Sequence, residues 1–110
     1  MNKIFLIGRL VANPELKNAF DNVDVCTFAI AVNYKDAGKP SYFNISVWPK
    51  GDLVPTCYKY LQKGARVFVS GRLIINEYLK DDIKKINVEV RADEVAFLSP
   101  KKAEKKEQAK

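Results

Sequence analysis

Histidine is absent from this chain and cysteine occurs twice. Without histidine the commonest general base is missing. Cys26 and Cys57 form no CxxC pair, which argues against a structural zinc site. They read as buried free thiols of a reducing compartment, with a disulfide as the alternative. The sequence also lacks a P-loop, a G-x-S-x-G elbow and a cluster of metal-ligating residues. No catalytic residue, metal or cofactor is therefore expected. Long apolar runs are missing as well, so no helix of about 18 apolar residues can span a membrane. The apolar start MNKIFLIGRL is interrupted by Gly8 and Arg9 and is too short for a signal peptide. A cytoplasmic location is the expectation.

What is present is a basic, strand-rich chain. Its 110 residues suit one small domain, and 47% apolar residues allow a core. The net charge of +6 favours a polyanion, nucleic acid before a membrane surface. That charge is uneven. Residues 101–110, KKAEKKEQAK, carry five Lys and two Glu, leaving 14 basic against 11 acidic residues in the first hundred. The body is thus only mildly basic. Residues 1–100 read as the folded domain, and 101–110 as a disordered basic tail without apolar anchors.

Short β-branched and aromatic runs separated by turn formers predict five strands. They cover Lys3–Leu10, Val25–Val32, Tyr42–Trp48, Arg66–Ile75 and Lys84–Val90. Between the third and fourth lies GDLVPTCYKYLQKG, where Leu53, Val54, Cys57, Tyr58 and Leu61 fall at helical spacing. Asp52 is the expected N-cap and Gly64 the terminator. Asn13-Pro14 should break the chain after the first strand, and Lys80-Asp81-Asp82 should form a hairpin tip. Asp81 and Asp82 read as solvated turn residues. Five strands with one short helix between the third and fourth is the order of an all-β OB-fold Greek-key barrel.

Alternation then sorts the faces. Phe43, Ile45 and Val47 form a core face, while Tyr42, Asn44, Ser46 and Trp48 form an aromatic and polar face. Rings on such a face either stack bases or cover an apolar edge or interface. The same choice holds for Tyr78, at the hairpin end of the fourth strand. The first strand is apolar on both faces, through Ile4, Leu6 and Leu10 against Phe5 and Ile7. Its outer face calls for a cover, either a second subunit or the chain's own helix and loops. Gly8 and Gly71 read as barrel corners first and ligand contacts second.

Six segments in order carry a resemblance: MNKIFLIGRL, NPEL, TFAIAVN, FNISVWPK, YLQKGARVFVSGRL and ADEVAFL. Through them the chain resembles bacterial single-stranded DNA-binding proteins (SSB) from Met1 to about Pro100. The resemblance implies an OB fold, a homotetramer (with a dimer as the alternative) and sequence-independent binding of single-stranded DNA. It implies roles in replication, recombination or repair. It matches Tyr42, Trp48 and Tyr78 to stacking aromatics, and places Tyr34 near a fourth. It matches Lys3, Lys17, Lys50 and Lys63 to basic positions; charge and placement add Arg9, Lys35 and Arg72.

Three departures stand out. Ile74, Asn76 and Glu77 occupy positions that are often basic, which should weaken phosphate contact. The loop Lys35–Pro40 is short. The chain ends in basic residues rather than an acidic tip, so recruitment of other proteins by such a tip is not expected. A primosome-type accessory protein, a small dimeric interaction module of the same fold, is the alternative function; an RNA-binding OB module comes third.

Overall fold

A computed structural model describes residues 1–33 and 38–99. Six strands and one helix follow in chain order: β1 (Ile4–Leu10), β2 (Glu15–Phe20), β3 (Val23–Val32), β4 (Ser41–Val47), α1 (Leu53–Tyr60), β5 (Arg66–Lys80) and β6 (Ile83–Phe97). The sheet runs β1-β5-β6-β4-β3-β2, and β1 also pairs with β3. That extra pairing, Arg9 with Ala31 and Leu10 with Ile30, closes five strands into a barrel. The β4–β6 pair is parallel and the other pairs are antiparallel. This is the expected OB-type barrel with its helix between the third and fourth barrel strands.

The sixth strand, β2, was not predicted. ELKNAF is exposed at every position, so no alternation marks it. It forms because β3 is long: β1 takes one end of its free edge and β2 the other. Asn13 and Pro14 are the joint between the two. The last two strands are also longer than predicted, 15 residues each. Their outer halves stand clear of the barrel as a two-stranded arm. Asp81 and Asp82 turn the arm at φ 55° and 65°. Both values are positive, as a type I′ hairpin turn requires.

The core lies inside the barrel. Ile30, Ile45, Val47, Val67, Val69 and Val90 are fully buried, each removing apolar surface worth about 1.5–3 kcal/mol. Val54, Cys57 and Leu61, from α1 and the residue after it, join this cluster. The helix departs from expectation at both ends. Asp52 occupies the N-cap but makes no side-chain cap bond. At the other end Leu61 leaves the helix in extended conformation, three residues before Gly64. Gly64, at φ +88°, instead shapes the turn into β5 and donates its N–H to the Leu10 carbonyl. Both cysteines are free and buried, and burial pushes Cys26 up to about 11 and Cys57 up to about 12.

At Gly71 the β5–β6 register shifts: Ser70 opposes Glu94 and Gly71 opposes Ala92, leaving Asp93 as the bulged residue. A Cβ on Gly71 would run into the Arg91 carbonyl oxygen. Gly8 is similar, since its Cβ would lie 2.6 Å from the Ala31 carbonyl oxygen. Close backbone approach is therefore what both glycines serve.

Candidate nucleic-acid interface

The outward faces of β4, β6 and β5 form one continuous surface. Registers set its rows. Ser46 pairs with Arg91, and Arg91 with Arg72. Farther along, Glu89 pairs with Ile74, Asn87 with Asn76, and Lys85 with Tyr78 out on the arm. Tyr42, Asn44 and the buried Ser46 descend the outward face of β4, as alternation predicted, and Trp48 follows the strand's end. Tyr42 is 67% exposed and Tyr78 49% exposed. Both rings are open to a ligand.

Trp48 is different. It is half-buried, and the Arg91 guanidinium lies 4.4 Å from its ring centroid. Such a contact contributes about 0.5–2 kcal/mol and fixes both side chains. It also covers one region of the indole. The indole Nε1 and the Arg91 Nε are both buried without a hydrogen-bond partner. Trp48 divides two concavities. One is a groove of about 570 Å³ that runs past Asn13, Lys17, Asn44, Ser46 and Glu89. The other is a recess of about 300 Å³ bounded by Lys50, Arg72, Arg91 and Asp93. In the groove, Ser46 Oγ donates to Glu89 Oε2 at 2.7 Å.

The basic positions divide. Lys17 reaches the groove from β2, and Lys50 and Arg72 reach the recess. Lys50 Nζ donates to the Asp93 carbonyl at 3.3 Å. Lys3 is engaged by the Asp93 carboxylate at 2.8 Å, and that hydrogen bond is the main reason the Asp93 pKa is lowered. Arg9 donates to the Gly64 carbonyl at 3.1 Å. Lys63 lies in the turn after α1, where its backbone N–H is held by Asn13 Oδ1 at 2.8 Å. Arg9 and Lys63 thus line neither concavity. Tyr34 and Lys35 lie outside the described residues.

Sequence reasoning missed Arg91. The predicted last strand stopped at Val90, although Glu89 and Arg91 continue the polar parity of that strand. Extending the alternation by one residue would have found it. Asn44 and Ser46 were visible only as small polar fillers between aromatic rings, and Glu89 was not singled out.

A barrel with this surface matches known sequences. Residues 1–98 match the family model described as Single-strand binding protein family. The chain belongs to that family. A single-stranded DNA-binding protein of Bacillus cereus is 36% identical over 107 residues, 92% of this chain and 62% of the relative. The chain thus spans about three-fifths of that relative's length. Single-stranded DNA-binding protein 1 of Clostridium acetobutylicum is 37% identical and matched over 93% of this chain and 97% of its own. Among solved structures, a Plasmodium falciparum SSB complex with ssDNA superimposes with a TM-score of 0.79 at 31% identity. The superposition covers 90% of this chain and 96% of that one. For this SSB-family chain, then, fold and family agree with the order of elements read from the sequence.

Proposed function

We propose that this SSB-family chain binds single-stranded DNA without catalysis, stacking bases on Tyr42, Trp48 and Tyr78. Lys17, Lys50 and Arg72 contact the phosphates, and Tyr34 and Lys35 are further candidates from the sequence alone. One observation carries the reading: the exposed rings of Tyr42 and Tyr78 share the outward face of β4, β6 and β5 with Arg72, and Trp48, Lys17 and Lys50 line the concavities beside it, apart from the apolar core. Bases in a duplex have no free face to offer, whereas each unpaired base can add roughly 1–3 kcal/mol by stacking. Recognition by stacking and charge needs no particular sequence. The names of the relatives point to the same ligand. Residues 1–100 hold the whole binding surface, and the protein works in the cytoplasm, in replication, recombination or repair.

The reading includes self-association. Phe5 is 62% exposed and Ile7 47% exposed on the outer face of β1. Phe5 stacks on Phe68 of β5, with ring centroids 6.2 Å apart. An apolar patch of this kind on a small barrel is relieved by a second copy. A homotetramer follows if the paired barrels pair again.

Trp48 is the sole tryptophan, so its emission reports the site directly. A thymine oligomer should quench it strongly and an equal length of duplex only weakly, at two salt concentrations. Equal responses to both would refute the reading. Trp48→Ala should then weaken single-strand binding by about 5- to 150-fold, the loss of one stacked base. Light scattering on the same samples reports assembly. A tetramer supports the SSB reading, and a dimer favours the primosome-type module.

A further inference from the structure

Arg72 and Arg91 stand directly opposite each other on β5 and β6. Like charges in that relation destabilise a sheet. The described residues hold no carboxylate in an ion pair with either guanidinium. The nearby acids are already engaged: Asp93 by Lys3 at 2.8 Å, and Glu89 by the Ser46 hydroxyl at 2.7 Å. Lys50 lines the same recess and adds a third positive charge. Arg91 Nε is buried and has no acceptor. The unpaired charge and the unpaired donor call for the same thing, an anion with several acceptor oxygens.

We propose that Arg72 and Arg91 jointly seat one backbone phosphate of the bound strand, beside the base that stacks on Trp48. This rests on the single-strand reading above and adds to it a residue, Arg91, and a division of labour around the indole. The planar guanidinium suits a phosphate because its N–H groups form a fork that bonds two oxygens at once. Its contact with Trp48 holds the fork in place before the ligand arrives, so little side-chain freedom is lost on binding. The recess side of Trp48 takes the phosphate, and the groove side, with Asn44 and Ser46, takes the base. One nucleotide is thereby gripped at both its parts. The bound phosphate in turn relieves the repulsion between the two arginines.

The test is a double-mutant cycle on the full chain, with a thymine oligomer as probe and direct binding measured at several salt concentrations. The variants are Arg91→Met, Arg72→Gln and both together. Arg91→Met keeps a long apolar cover on Trp48 and removes the charge. Each single change should weaken binding about tenfold, the loss of a hydrogen bond to a charged group. The double variant should lose clearly less than the product of the two, because one phosphate is shared. Its log–log salt slope should be shallower than that of the unaltered protein by about 0.7, one phosphate on a single strand. The proposal falls if Arg91→Met binds as well or better, which would mean that the guanidinium blocks the ring. It also falls if the two losses multiply, or if the slope is unchanged in the double variant. Should Arg91→Met fail to fold, Arg91→Lys keeps the charge without the fork and should bind with intermediate affinity; unchanged affinity overturns the seat. If the unaltered protein does not prefer the single strand over duplex, the parent reading falls and this one with it. Preference intact with no effect at Arg91 sinks this one alone.

Discussion

Replacing Gly71 by alanine tests how the barrel positions the interface. A Cβ built there meets backbone on the facing strand: the Arg91 carbonyl oxygen first, then the Arg91 carbonyl carbon and the Ala92 Cα at 2.9 Å each. Backbone in a paired strand cannot swing aside as a side-chain tip can. The bulge at Asp93 must deform instead, and inserting a methyl into such a contact costs about 1–3 kcal/mol. Alanine recovers part of this, about 0.4–1 kcal/mol, by stiffening the unfolded chain. The net loss is then about 1–2 kcal/mol. For a domain of this size that lowers Tm by roughly 5–15 °C. Thermal unfolding followed by circular dichroism reads the shift. Gly38→Ala is the control, because no atom lies within 4 Å of its Cβ. It should leave Tm unchanged or raise it slightly. A Gly71→Ala protein as stable as the original would refute the close-approach argument. Since Arg91 is the residue pushed, the variant should also bind single strands more weakly.

Other consequences follow from the arm tip, the core and the thiols. Asp82 holds φ 65°, which glycine adopts freely, so Asp82→Gly should stabilise the protein by about 0.5–1 kcal/mol, measured by urea unfolding. Ile45→Ala removes a fully buried side chain from β4 and should cost about 2–5 kcal/mol in the same assay, with the midpoint reporting it. Cys26 and Cys57, pushed up to about 11 and about 12, stay protonated at pH 8 and should not react with a thiol reagent until denaturant is added. Rapid labelling of the folded protein would contradict their burial.

Much of this molecule is written locally. Alternation of apolar and polar residues placed Phe43, Ile45 and Val47 inside and Tyr42, Asn44, Ser46 and Trp48 outside, because strand geometry forces period two on any sequence. Turn formers set the order of elements, and five strands with one helix admit few closed arrangements. The aromatic half of the interface was therefore legible.

Tertiary structure decided what depends on a partner strand. The strand β2 carries no pattern of its own and exists because the long β3 offers it an edge. Asp93 is a bulge only because Gly71 lets two backbones meet. Pairing across β5 and β6 set Arg91 opposite Arg72, and the parallel β4–β6 pairing brought it over Trp48, so the indole became a wall between groove and recess. Register and loop packing together settled which cations face the concavities. Lys3 is spent on Asp93 and Arg9 on Gly64, while Lys17, Lys50, Arg72 and Arg91 line the concavities. Composition counts charges, but only register and closure determine which of them share a surface.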